Sequence, residues 1–166
     1  MHLFGFCFRA PTGAPAKESA VKRFLLIVSL LLLCCGSAWG AEKIESPEAC
    51  LLCGMNRTTY AYSRMVIVYD DGASDGLCSL NCAVEQMKKF KTRKVKSLLV
   101  ADYGSRKLID ARKALWVIGG KIPGVMTPKP KWAFARQADA EAFVKENGGT
   151  LSNFDEALKL ALQEND

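Results

Sequence analysis

The sequence predicts an α+β protein in which a strand-then-helix order occurs twice, the first time around a treble-clef-like arrangement of four cysteines. Three observations carry this expectation. Cys50 and Cys53 lie in a turn-forming stretch, and Cys78 and Cys82 follow a 24-residue gap that comfortably holds a hairpin. Met65-Val66-Ile67-Val68-Tyr69 is a β-branched run ahead of the turn Asp70-Asp71-Gly72, which reads as one arm of that hairpin. Apolar residues at helical spacing follow the strand signals in each half, and in the second half no cysteine accompanies them.

Composition bounds the rest. The chain of 166 residues has room for one ordinary domain or two small units sharing a core, and its 49% apolar content suits a packed globule. Of the formal charge of +6, half falls in residues 1–40, where Arg9, Lys17, Lys22 and Arg23 face only Glu18. The remainder carries 19 basic and 16 acidic side chains, a balance that gives no case for a nucleic-acid partner.

Residues 1–40 read as a leader. Lys22-Arg23 precede the apolar run Phe24–Leu33, and small residues follow around Ala38-Trp39-Gly40, the order of a secretory signal. The run is short of the roughly 20 apolar residues that span a bilayer. The stretch ahead of it fits a signal poorly, so Val21 is expected to be the true start and Gly40 the last residue removed. Cys34 and Cys35 raise a lipid anchor as the rival, although Leu33 and Cys34 are poor residues to precede a lipidated cysteine. The expected location is periplasmic or otherwise exported, with the membrane engaged only through the leader or such an anchor.

With the leader gone, four of the seven cysteines remain: Cys50, Cys53, Cys78 and Cys82. In an oxidising compartment they can form two disulfides, in three connectivities that spacing does not resolve. Against this, Cys-x-x-Cys pairs are more typical of metal knuckles and redox centres. The stretch Cys50-Leu51-Leu52-Cys53-Gly54-Met55 also adds a thioether to two thiols, and soft sulfur donors select Cu(I), zinc or iron–sulfur centres over hard ions.

Taken in order, Ala41–Ala49 is a polar lead-in and Cys50–Met55 a turn. Asn56–Ser63, with Tyr60 and Tyr62 alternating, suits a strand, and Met65–Tyr69 and Ala73–Leu77 make the hairpin. Ser79 is a good N-cap for a helix to about Phe90, with Leu80, Val84 and Met87 on one stripe, so Cys78 and Cys82 flank a helix N-terminus whose dipole favours thiolate. The run Lys88–Lys96 reads as a solvated basic end to that helix. Ser97–Asp102 and Ala114–Ile118 are expected strands, separated by the Lys107–Asp110 segment. Gly119-Gly120 and Ile122-Pro123-Gly124 mark a loop that holds Met126, followed by the strand Trp132–Ala135. Met126 either plugs the core from this loop or offers its thioether to the site. Asp139 caps a helix ending at Gly148-Gly149, and Asn153-Phe154-Asp155-Glu156 opens the last helix, to about Gln163.

A family resemblance then emerges. Cys50-Leu51-Leu52-Cys53-Gly54-Met55, Val100-Ala101-Asp102-Tyr103, the run Ile109–Gly120, the loop methionine Met126, and Ala140–Phe143 through Gly148-Gly149 to Phe154-Asp155-Glu156 together resemble the NosL family of nitrous-oxide-reductase accessory proteins, over residues 48 to about 160. The resemblance implies two related ββα-type subdomains, about 48–102 and 103–163, in a fold shared with the organomercurial lyase. It implies an exported, often lipid-anchored protein that binds Cu(I) and passes it to the assembly machinery of a multicopper enzyme. The family's Cys-Gly-Met signature lands on Cys53, Gly54 and Met55, and its loop methionine on Met126, which makes Met126 a ligand candidate. Where the family often shows Gly-Pro-Met-Gly, this chain has Gly124-Val125-Met126-Thr127, and its only histidine is His2, in the leader. Cys78 and Cys82 lie outside the family's minimal motif and draw the site toward a four-cysteine finger.

Three function classes follow: a Cu(I) carrier using Cys50, Cys53, Met55, Cys78, Cys82 and Met126; a zinc-stabilised interaction module; and a thiol–disulfide protein working through Cys50 and Cys53. The third lacks a strand leading into Cys-x-x-Cys with a helix opening on it. The sequence holds no Ser-His-Asp set, paired acid–base carboxylate motif or phosphate loop, so an enzyme is not expected.

Overall fold

The computed structural model describes residues 44–165; the expected leader, with Val21, Cys34 and Cys35, lies outside the described residues. Strands β1 (Met65–Tyr69), β2 (Ser74–Leu77), β3 (Val95–Ala101) and β4 (Leu108–Asp110) form one antiparallel sheet in the order β2-β1-β3-β4. Helix α1 (Leu80–Lys89) connects β2 to β3. Strands β5 (Leu115–Ile118), β6 (Lys131–Phe134) and β7 (Thr150–Ser152) form a second antiparallel sheet, ordered β6-β5-β7. Helix α2 (Gln137–Asn147) connects β6 to β7, and α3 (Phe154–Glu164) ends the described chain.

The two halves share one topology. In each, a hairpin is followed by a helix, and a third strand returns to the free edge of the hairpin's first strand, giving β2-β1-β3 and β6-β5-β7. The repeat is therefore ββαβ, one strand longer than the order read from the sequence. That third strand leaves β1 and β5 central, which is why Met65, Ile67, Tyr69 and Val117 lose nearly all contact with water. Each such side chain contributes about 1.5–3 kcal/mol by leaving water. The first sheet continues through Asp110, because β4 pairs with β3.

Among the described residues, one backbone bridge joins the sheets. Asp102 makes a parallel bridge to Ala133, Tyr103 N donates to the Ala133 carbonyl at 2.8 Å, and the Asp102 carboxylate accepts from Ala135 N at 2.8 Å. An aromatic cluster covers this junction: Tyr103 meets Tyr62, Trp132, Phe134 and Phe143 with ring centroids 4.8–5.7 Å apart.

Two local expectations are corrected. Residues 56–63 are a series of turns, because the Asn56 side chain accepts from Thr59 N at 2.8 Å and closes the chain on itself. Tyr60 and Tyr62 alternate in sequence but lie edge to face, 6.3 Å apart. The helix expected to be capped by Asp139 begins at Gln137, with Arg136 as an N-cap that makes no side-chain hydrogen bond. Asp139 sits instead in its first turn, paired with Arg136 at 2.7 Å. Strands β4 and β7, three residues each, had no expectation.

Candidate metal centre

The knuckle is a backbone turn before it is a metal site. Gly54 N donates to Cys50 O at 2.8 Å and Cys50 N to Met55 O at 2.8 Å, closing a loop whose stem is the Ala49–Asn56 bridge. Gly54 holds φ at 77°, the left-handed region that glycine enters without penalty. The turn is tied to the hairpin by Leu51 N donating to Gly76 O at 3.0 Å.

Arg57 fixes this assembly from beneath. Its side chain is fully buried, bonds the carbonyls of Leu77 (3.1 Å), Glu45 (3.0 Å), Met65 (3.3 Å) and Pro47, and pairs with the Glu45 carboxylate. An unpaired buried guanidinium would be strongly destabilising; here the carboxylate and four carbonyls offset its desolvation. The same carboxylate also binds Arg64 at 3.1 Å. Gly76 has no room for a side chain, since a Cβ there would fall 2.4 Å from Arg57 Nη1.

The second cysteine pair comes from the end of β2 and the first turn of α1. Ser79, extended at φ −160°, caps the helix by accepting from Cys82 N at 3.4 Å. Ser63 Oγ donates to the Cys78 carbonyl at 2.8 Å and holds the approach to that cap.

These elements bring all four sulfurs within 4.8 Å of one another. Cys53 lies 3.5 Å from Cys78 and 3.8 Å from Cys82, and Cys78 lies 3.5 Å from Cys82. The three distances close a triangle, whereas two disulfides would show two separate pairs at about 2.05 Å. All four are free thiols. A tetrahedron of sulfurs with 2.3 Å metal–sulfur bonds has edges of roughly 3.8 Å, so a soft ion fits with little movement. Cys50, Cys78 and Cys82 are buried, and Cys53 alone of the four is partly exposed.

The electrostatics correct one expectation. The helix dipole was expected to ease deprotonation of Cys78 and Cys82, yet the low thiol is Cys50, pulled down by hydrogen bonds from Cys78 and then Cys82. Hydrogen bonding to Cys50 raises Cys78 and pushes Cys82 up to about 12, and burial adds to both. A helix end supplies only about 0.3–1 kcal/mol, too little to oppose a neighbouring thiolate in a buried site. Cys50 is thus the thiol most ready to give up its proton, while Cys78 and Cys82 must lose theirs to a metal ion to bind as thiolates.

The methionines are placed differently. Met55 is partly buried against the hydrophobic core, two residues beyond Cys53. Met126 lies in the β5–β6 loop, 50% exposed, at φ 54°. It does not plug the core: the buried residue there is its neighbour Val125. A non-glycine residue in the left-handed region costs of the order of 1–2 kcal/mol, and such strain clusters at functional positions.

The sequence profile of the NosL family matches residues 41–160. The chain belongs to the NosL family. Among solved structures, that of the copper chaperone NosL from Shewanella denitrificans is similar, with a TM-score of 0.54 and 26% identity over 70% of this chain and 94% of the other. No curated protein sequence matches the chain. NosL membership accounts for the mixed fold. The residues that sequence reasoning missed are Arg57, Ser63 and Gly76, which position the knuckle; in sequence they are an ordinary arginine, serine and glycine, and only their partners at positions 45–47, 65 and 76–78 reveal the role.

Proposed function

We propose that this NosL-family protein is a non-enzymatic Cu(I) carrier, exported to the periplasm and held there free or by a lipid anchor, that passes copper to a recipient metalloprotein or its assembly machinery. Nitrous oxide reductase is the recipient that the family resemblance implies. Cys50, Cys53, Cys78 and Cys82 are the thiolate donors, with Met55 and Met126 as thioether donors. The observation that carries this reading is the convergence of four free sulfurs, three buried and one partly open, in a chain similar to a copper chaperone. Thiolate and thioether together suit Cu(I), which accepts low coordination numbers and exchanges ligands readily.

A second reading, a zinc-stabilised treble clef, is favoured by three sulfurs spaced 3.5–3.8 Å apart with a fourth within 4.8 Å, and by the burial of three of the four. Native mass spectrometry of the reduced protein offered Cu(I) and Zn²⁺ together, without oxygen, separates the two. Retention of Cu(I) in a defined ratio, weakened by Met126→Ala, is the expected result. Zinc alone, indifferent to Met126, makes the cysteines a structural clasp and overturns the carrier.

A further inference from the structure

We infer that a polar cluster of the buried Lys131 and Asn81 with the partly buried Glu164 and Thr127 fixes the Met126 loop against the cysteine-bearing helix α1 and thereby governs how quickly bound metal leaves. This rests on the reading of Met126 as a metal ligand.

The cluster joins three distant parts of the chain. The Lys131 ammonium, on β6, lies 2.6 Å from Glu164 Oε2, 2.8 Å from Thr127 Oγ1, 3.0 Å from the Lys129 carbonyl and 3.1 Å from Asn81 Oδ1. Glu164 Oε2, at the end of α3, also accepts from Asn81 Nδ2 at 2.7 Å and is 2.7 Å from Thr127 Oγ1. The Lys131 and Glu164 side chains are only 2% and 11% exposed. Asn81 is the residue before Cys82, and Thr127 is the residue after Met126. One carboxylate oxygen and one ammonium therefore tie the neighbour of a cysteine to the neighbour of the methionine.

The loop is fixed on the other side of Met126 as well. Val125 is buried, and a Cβ on Gly124 would fall 2.5 Å from Thr127 Cγ2. Pro130 O accepts from Gly119 N at 2.8 Å. Between two anchored neighbours, Met126 keeps a half-exposed side chain on a strained backbone. A buried ion pair is seldom the most stabilising choice for its volume, and its best-attested use is to set register between elements. Here the register set is that of the loop against the first turn of α1.

A purely structural cluster would dock α3 on α1, and Asn165 does so independently by donating to the Asn81 carbonyl at 3.0 Å. Thr127→Val separates the two roles, because it removes the loop's hydroxyl and leaves the contacts among Asn81, Lys131 and Glu164. The full chain, reduced and loaded with Cu(I), is mixed with the chelator bicinchoninate, and release is followed by absorbance for the wild type, T127V, E164Q, M126A and T127V/M126A, with melting of each metal-free protein alongside. T127V is expected to release copper roughly five- to tenfold faster than wild type with little change in melting temperature, and E164Q at least as fast. In the M126A background, T127V should give no further acceleration. Release by T127V at the wild-type rate, or acceleration by the same factor with and without Met126, overturns the inference. If M126A itself releases at the wild-type rate, the methionine's ligand role fails first, and this inference falls with it.

Discussion

At the scale of single residues, Cys50, Cys78 and Cys82 set one another's proton affinity, the first lowered and the other two raised. Cys78 and Cys82 are both raised, by hydrogen bonding to Cys50 and by burial, so a metal must displace protons to take them as thiolates. Metal binding should release protons, and apparent affinity for Cu(I) or Zn²⁺ should rise steadily between about pH 6 and pH 8. Titration in weak buffer with an indicator dye measures the release; a pH-independent affinity would contradict this account. Gly76→Ala drives a methyl group into Arg57 and the Pro47 ring, and is expected to cost about 2 kcal/mol and to weaken metal binding through the Leu51–Gly76 bond. Chemical denaturation and competitive chelation check the two effects. The sulfurs were legible in the sequence because soft ligands at turn spacing have few other uses. Arg57 was not, since an arginine after a turn reads as solvated until its partner Glu45, twelve positions upstream, is seen beneath the knuckle.

At the scale of elements, the metal centre depends on the first turn of α1. Ser79→Ala removes the acceptor for Cys82 N and should cost about 1 kcal/mol of stability. It should lower metal affinity by more than a distant substitution of equal cost, such as Asn153→Ala at the cap of α3, where Asn153 accepts from Glu156 N at 3.0 Å. Equal losses of affinity in the two variants would show that the cap acts only through global stability. The strands β1, β2, β3, β5 and β6 and all three helices announced themselves through β-branched runs, caps and period. Strands β4 and β7 did not, because three residues carry less than two repeats of a strand's period. The tyrosines of 56–63 imitated a strand, and the local closure by Asn56 prevailed.

At the scale of the whole molecule, one ββαβ topology serves twice, with the four clustered cysteines in the first copy and the second supplying a loop and the Lys131 side of the Lys131–Glu164 pair. Burial alone would raise the Glu164 pKa, but hydrogen bonds from Lys131, Asn81 and Thr127 outweigh it and hold it below its ordinary 4.5. A carboxylate with a depressed folded-state pKa contributes stability that is present above its unfolded value and lost as pH falls through its folded one. The acid limb of a stability profile, below about pH 4.5, should therefore be shallower in Glu164→Gln than in the wild type, and parallel limbs would remove this group from the account. A metal that binds only the folded state at a hundred times its dissociation constant adds about 2.7 kcal/mol, so the loaded protein should melt roughly 10 °C higher than the metal-free one. The partial exposure of Cys53, beside three sealed neighbours, bears on the order of events at handover. An ion held behind three buried sulfurs is most open to an incoming ligand on the Cys53 side, so exchange is expected to begin with the acceptor's ligand joining it there before a protein sulfur lets go. The speed of transfer should then climb in proportion to acceptor concentration, and the carrier can be both tenacious in solution and quick on contact.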